Sequence, residues 1–163
     1  MKTLVVYYSR TGNTEKVGRA LAKHLEADTE RIIDKKNRKT PLIGFIRAGY
    51  HALKEKETEI GGIKHDPSMY DLVIIGTPVW AGSITPAVRT YLNRYGNKLP
   101  EVVFYCTSGG GELEKVYRQL KECSGKSPIY TFGIEDKKIK ENEHRSKIAG
   151  IVEKIRSSMK YQK

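Results

Sequence analysis

The sequence predicts an α/β protein built on a doubly wound parallel sheet with helices on both faces. Two observations carry this. Short apolar runs alternate with helix-period patterns along the whole chain, giving five βα units joined by short connections. Residues 71–76 (DLVIIG) are apolar on both alternating faces, the pattern of a central parallel strand covered by helices on each side. A length of 163 residues suits a single domain, expected over residues 1–163, with a core large enough to fold without metal or disulfide.

Each element has its own signal. Residues 2–7 (KTLVVY) read as the first strand. Residues 14–27 read as a helix, with Val17, Ala20, Leu21, His24 and Leu25 on one face. Residues 29–34 (TERIID) form a second, more polar strand, expected nearer an edge. Pro41 then sits just inside a segment where Leu42, Phe45, Ile46, Gly49, Tyr50 and Leu53 make an apolar stripe, a helix capped by Thr40. After DLVIIG and a loop, residues 86–95 read as a helix, with Pro86 at a permitted early position and Gly96 placed to end it. Residues 101–107 (EVVFYCT) are the fourth strand, 112–123 a helix and 128–134 the fifth strand. The last helix is expected over residues 139–159, with Ile148, Ile151, Val152, Ile155 and Met159 toward the core.

Charge and composition narrow the function classes. Thirty lysines and arginines against 19 acids give a formal net charge of +11. Such basicity suits solvated helix faces or a docking surface for an acidic partner; no recognised nucleic-acid module or aromatic-interleaved basic stripe is present, so nucleic-acid binding is disfavoured. Cys106 and Cys123 show no C-x-x-C spacing and read as reduced, buried thiols. The N-terminal apolar run is too short for a signal peptide, and no run of about eighteen apolar residues occurs. A cytoplasmic protein without a membrane span is the expectation. The 4 histidines form no metal-ligand pattern, and no residue is assigned as catalytic or metal-binding.

In an open doubly wound sheet, ligands sit beyond the carboxyl ends of the strands, where strand order reverses. The loops at that edge are chemically rich. After strand one come Ser9, Arg10, Thr11, Gly12, Asn13 and Thr14, at the mouth of a helix whose first amides lack intrahelical partners and carry partial positive charge. Hydroxyls on Ser9, Thr11 and Thr14 can donate to phosphate oxygens, Gly12 lets backbone approach closely, and Arg10 adds charge. A plain cap at Asn13 or Thr14 would need only one such residue, so an anion-binding loop is the reading. The spacing is not that of a nucleotide-triphosphate P-loop. After strand three come Thr77, Pro78, Val79, Trp80, Ala81 and Gly82, where the only tryptophan packs on the body or on a flat ligand. After strand four come Thr107, Ser108, Gly109, Gly110 and Gly111, glycines whose entropic cost makes sense where backbone must meet a ligand edge.

These three motifs together resemble the flavodoxins and flavodoxin-like proteins, in their order and spacing, over nearly the whole chain. SRTGNT is similar to their phosphate loop, GTPVWAGSITPAVRTYL to their second flavin loop with the helix after it, and CTSGGGE to the third. The resemblance implies a flavodoxin-like five-stranded sheet of order 2-1-3-4-5 that binds FMN non-covalently. The phosphate would lie on residues 9–14, and the isoalloxazine between residues 77–82 and 107–111. Flavodoxins usually place a tyrosine in the third loop over the outer flavin face, and they are typically acidic; this third loop has none and this chain is basic. Tyr8, Phe45, Tyr50 or a second subunit could supply cover, and positive surroundings should raise the flavin potential.

The function expected is transfer of electrons between protein partners, acidic ones given the charge. The alternative of the same fold is an NAD(P)H-dependent oxidoreductase acting on a quinone or other small acceptor, for which an uncovered flavin face leaves room. A third reading is a non-redox binding module with a vestigial flavin site. Both monomer and homodimer are compatible with the sequence.

Overall fold

The computed structural model describes residues 1–36 and 57–160. The helix expected over residues 41–53, its cap Thr40, Phe45, Tyr50 and His51 lie outside the described residues. The described strands and α-helices are β1 (Thr3–Tyr7), α1 (Asn13–Leu25), β2 (Asp28–Arg31), β3 (Leu72–Pro78), α2 (Pro86–Tyr95), β4 (Glu101–Ser108), α3 (Glu114–Ser124), β5 (Tyr130–Glu135), α4 (Asp136–Lys140) and α5 (His144–Lys160). They form a five-stranded sheet of order β2-β1-β3-β4-β5 in which every paired strand is parallel.

Alternation along the strands divides the core into two layers. Leu4 and Val6 of β1, Val73 and Ile75 of β3 and Phe104 of β4 join a layer with Val88, Tyr91 and Leu92 of α2 and Val116 and Leu120 of α3. Their neighbours Val5, Tyr7, Leu72, Ile74, Val103 and Tyr105 join Val17 and Leu21 of α1 and Ile148, Val152 and Ile155 of α5. Each large apolar side chain taken from water contributes about 1.5–3 kcal/mol. A one-residue slip of any inner strand would exchange the two layers, so register is strongly specified.

Register also explains two glycines. Tyr7, Gly76 and Tyr105 stand side by side on β1, β3 and β4. A Cβ on Gly76 would lie 2.0 Å from Tyr105 Cζ, and one on Gly18 of α1 would lie 2.7 Å from its hydroxyl. The fully buried Tyr105 ring thus fills the space these residues leave, and its hydroxyl donates to Thr14 O at 3.0 Å. Burial raises the Tyr105 pKa well above its ordinary value, so the donor stays protonated. The first turn of α1 is fastened to the middle of the sheet.

Several expectations need correction. The single last helix is two, because Asn142 takes φ 60° between α4 and α5. Ile139 is buried in the short first piece; in the second, Ile148, Val152 and Ile155 are buried as expected, with Ile151 and Met159 partly buried against the same cluster. The second strand is shorter than residues 29–34: Ile33 is 52% exposed, and Asp34 makes an isolated antiparallel bridge with Ile60. The first helix stops at Leu25, where Glu26 turns left-handed, and His24 is exposed rather than on the core face. Among the described residues, no helix is long and apolar enough to cross a membrane.

Candidate functional site

The carboxyl ends of β1, β3, β4 and β5 open on one edge. Here β1 runs into the turn before α1. Ser9 is 4% exposed, and its Oγ accepts the Gly12 N–H at 3.1 Å, which curls the chain back. Gly12 is the N-cap with φ 93°, a conformation that would cost a residue with a side chain about 1–2 kcal/mol. No side chain caps α1. The simple cap at Asn13 or Thr14 does not occur, because both lie inside the helix with their side chains engaged elsewhere. Asn13 Nδ2 donates to Asp136 Oδ1 at 2.8 Å, and Thr14 Oγ1 shares a hydrogen bond of 2.8 Å with Thr107 Oγ1. That hydroxyl pair holds two protons and its own bond uses one, so it has a donor to spare.

Beneath the loop, Arg31 of β2 donates from Nη2 to Ser9 O at 3.2 Å, and its Nη1 lies 3.3 Å from Glu15 Oε2. Glu15 also holds Arg19 at 2.8 Å. The acid in the first turn of α1 is therefore matched by two guanidinium groups.

The second loop is a tight turn. Trp80 and Ser83 exchange N–H···O bonds of 3.0 Å in both directions, and Ala81 and Gly82 between them have φ 46° and 67°. Val79 N–H donates to Thr107 O at 2.9 Å, tying this loop to the end of β4. The Trp80 ring meets Tyr8 edge-on, centroids 5.8 Å apart, and the Arg10 guanidinium lies 5.9 Å from its centroid. The tryptophan is thus held by Tyr8 and Arg10 while remaining only partly buried. Thr77 is fully buried, and its Oγ1 donates to Pro78 O at 2.9 Å.

In the third loop, Ser108 Oγ accepts the Gly110 N–H at 3.3 Å, and Gly110 and Gly111 take φ 122° and 95°, which glycine alone adopts easily. Residues 109–111 are exposed.

Arg10, Thr11, Asn13 and Thr14 line one side of a cleft of about 360 Å³; Pro78, Val79 and Trp80 line the other, with Thr107 and Asp136 completing it. Ser9 and Thr77 are supports beneath it. Ala81, Gly82, Gly109 and Gly110 stand outside its lining, and Ser108 and Gly111 border a neighbouring recess of about 200 Å³ with Lys138 and Lys147. Sequence reasoning missed Arg31 and Asp136. Only Asp136 had a signal, since it follows a strand that ends on the same edge.

Cys106 and Cys123 are free thiols, the first buried and the second half-buried. Burial pushes the Cys106 thiol up to about 12, although Tyr117 opposes the shift through a hydrogen bond. It stays a thiol near neutral pH and is no nucleophile. Among the described residues no group of His, Cys, Asp or Glu could hold a metal ion.

Residues 2–155 match the family described as Flavodoxin. The chain belongs to the flavodoxin family. Solved structures agree with the fold of this flavodoxin-family chain. A protein of Bacteroides uniformis ATCC 8492 superposes with TM-score 0.70 at 18% identity, covering 86% of this chain and 96% of that one. A flavoprotein of Lactobacillus acidophilus NCFM, solved in complex with FMN, gives 0.67 at 23% identity, covering 86% and 97%. The two-electron reduced flavodoxin of Megasphaera elsdenii gives 0.54 at 17% identity, covering 80% and 84%. The expected strand order 2-1-3-4-5 is the order found.

Proposed function

We propose that this flavodoxin-family protein binds FMN in the cleft between α1 and Trp80 and passes electrons between redox protein partners. The observation that carries the reading is the uncapped head of α1, with Asn13 and Thr14 drawn into other bonds and a spare hydroxyl proton on the Thr14–Thr107 pair. Unclaimed amides and a neutral donor fit a phosphate ester, because the helix dipole favours an anion there. Arg10 adds a formal charge on the same wall. FMN bound there would supply the electron chemistry, which the protein tunes by burial and hydrogen bonding.

The chain's own residues then divide the work. The residues 9–14 turn receives the phosphate, Arg31 holds that turn from below, and Tyr105 fixes the helix behind it. Trp80, steadied by Tyr8, offers an aromatic wall for the ring system. The third loop, which borders the neighbouring recess through Ser108 and Gly111, would present backbone rather than side chains to the ring's edge. A net charge of +11 suits acidic partner proteins. Two free thiols suit a reducing compartment, and we place the protein in the cytoplasm.

Purified protein should be yellow and release a cofactor with the mass of FMN rather than FAD. Colourless protein that stays colourless with added FMN would remove the reading. One observation favours reduction of a small acceptor instead: the exposed glycines at 109–111 bring no aromatic cover to their side of the site. Steady-state oxidation of NAD(P)H with a quinone separates the two, since an electron carrier shows negligible turnover.

A further inference from the structure

The Trp80–Ser83 turn contains a non-glycine residue, Ala81, in the left-handed region at φ 46°. Such backbone persists only where its surroundings hold it. Two bonds of 3.0 Å close the turn internally; Val79 ties its start to β4, and α3 holds its end. Gln119, on the helix that follows the third loop, accepts the Ile84 N–H on Oε1 at 3.1 Å and donates from Nε2 to Ser83 Oγ at 3.3 Å. Ser83 and Ile84 are each 1% exposed while Gln119 is only partly buried, so the Ile84 N–H has little access to water and would be costly to leave unmet. The Ile84 amide can only donate, which orients the carboxamide, and the other end must then give its proton to Ser83.

We infer that Gln119 is a positioning residue. Acting through Ser83 and Ile84, it fixes the turn that carries Trp80 in the form that borders the cleft. This rests on the FMN reading for its consequence in binding, but not for the clamp itself. Because α3 starts just after the glycine-rich loop, the clamp also joins the two loops proposed to flank the ring.

Trp80 is the only tryptophan and reports on the turn directly. Acrylamide quenching of its fluorescence in apoprotein tests the clamp without cofactor. Gln119→Leu, which removes both bonds, should raise the quenching constant about threefold through local opening. It should weaken FMN about tenfold, the loss expected for an ordinary buried hydrogen-bonded group. Gln119→Glu should restore both to within about twofold, since a carboxylate still accepts from Ile84 and Ser83 can turn its hydroxyl to donate. A merely space-filling role would favour the leucine instead. Unchanged quenching in Gln119→Leu, or a glutamate no better than leucine, overturns the inference. Should the leucine variant lose its circular-dichroism signature, Ser83→Ala decides: it spares α3, and quenching equal to wild type rejects the clamp. A wild-type protein that binds no FMN would end the FMN reading while the quenching comparison still judged Gln119.

Discussion

Replacing Thr14 by valine removes one hydroxyl and almost no volume. The position is 1% exposed, so an isostere is the cleanest change available. Two quantities follow. The 2.8 Å bond to Thr107 disappears and leaves a second buried hydroxyl unmatched, which should cost about 1–2 kcal/mol of folding stability. If Thr107 donates to Thr14 and Thr14 gives its own proton to the phosphate, binding loses a hydrogen bond to a charged group. That bond is worth about 1.5–3 kcal/mol, or about 12- to 160-fold in Kd. Riboflavin has the same ring and no phosphate, and should change by less than about threefold. Flavin fluorescence quenching, titrated with wild-type and variant apoprotein at one ionic strength, reads both ligands; urea unfolding checks that each apoprotein is folded. Equal losses for FMN and riboflavin would refute the phosphate assignment, as would no loss for FMN.

Three further outcomes test the scaffold around the site. Gly76→Ala puts a methyl 2.0 Å from Tyr105 Cζ and should cost about 3 kcal/mol in urea unfolding. Gly62→Ala, with nothing within 4 Å, should be far milder, and equal costs would contradict the assigned register. His144 is buried with no partner on Nδ1, and burial first, then the Arg145 charge, hold its pKa below the ordinary histidine value. Between the lowered value and about 6.5 the unfolded chain binds more protons, so stability is complete above about 6.5 and declines on acidification. His144→Gln should flatten that slope between about pH 5 and 7, and an unaltered slope would assign the effect elsewhere. Cys106, its thiol pushed up to about 12, should resist iodoacetamide in the native protein near neutral pH, where rapid labelling would contradict its burial.

What the sequence made legible followed from local chemistry. Helix α2 was readable to its end residues, because Pro86 opens it and Gly96 follows it. Strand β3 was readable because a run apolar on both faces has few other uses. The split between α4 and α5 was not, since residues 137–143 (KKIKENE) carry no proline or glycine. The break rests on Asn142, whose short polar side chain tolerates φ 60°. The end of β2 was overestimated because Ile32 and Ile33 look like strand residues; Asp34 pairs with Ile60 instead. Within the site, the donors at residues 9–14 announced themselves by type and crowding. Their supports did not. Arg31 reaches Ser9 across 22 positions and Gln119 reaches Ser83 across 36, and nothing in either neighbourhood marks the pairing. Asn13 lines the cleft, but its engagement by Asp136, which keeps it from acting as a cap, is a contact across 123 positions.

The central physical claim is that the free amides heading α1 receive a phosphate ester. Amide-resolved NMR of the apoprotein, titrated separately with FMN, riboflavin and inorganic phosphate, tests it at the atoms concerned. The N–H signals of Thr11, Asn13, Thr14 and Glu15 should move with FMN and with phosphate alone, and hardly at all with riboflavin. Amides there that ignore FMN while those near Trp80 respond, or that move equally with riboflavin, would contradict it.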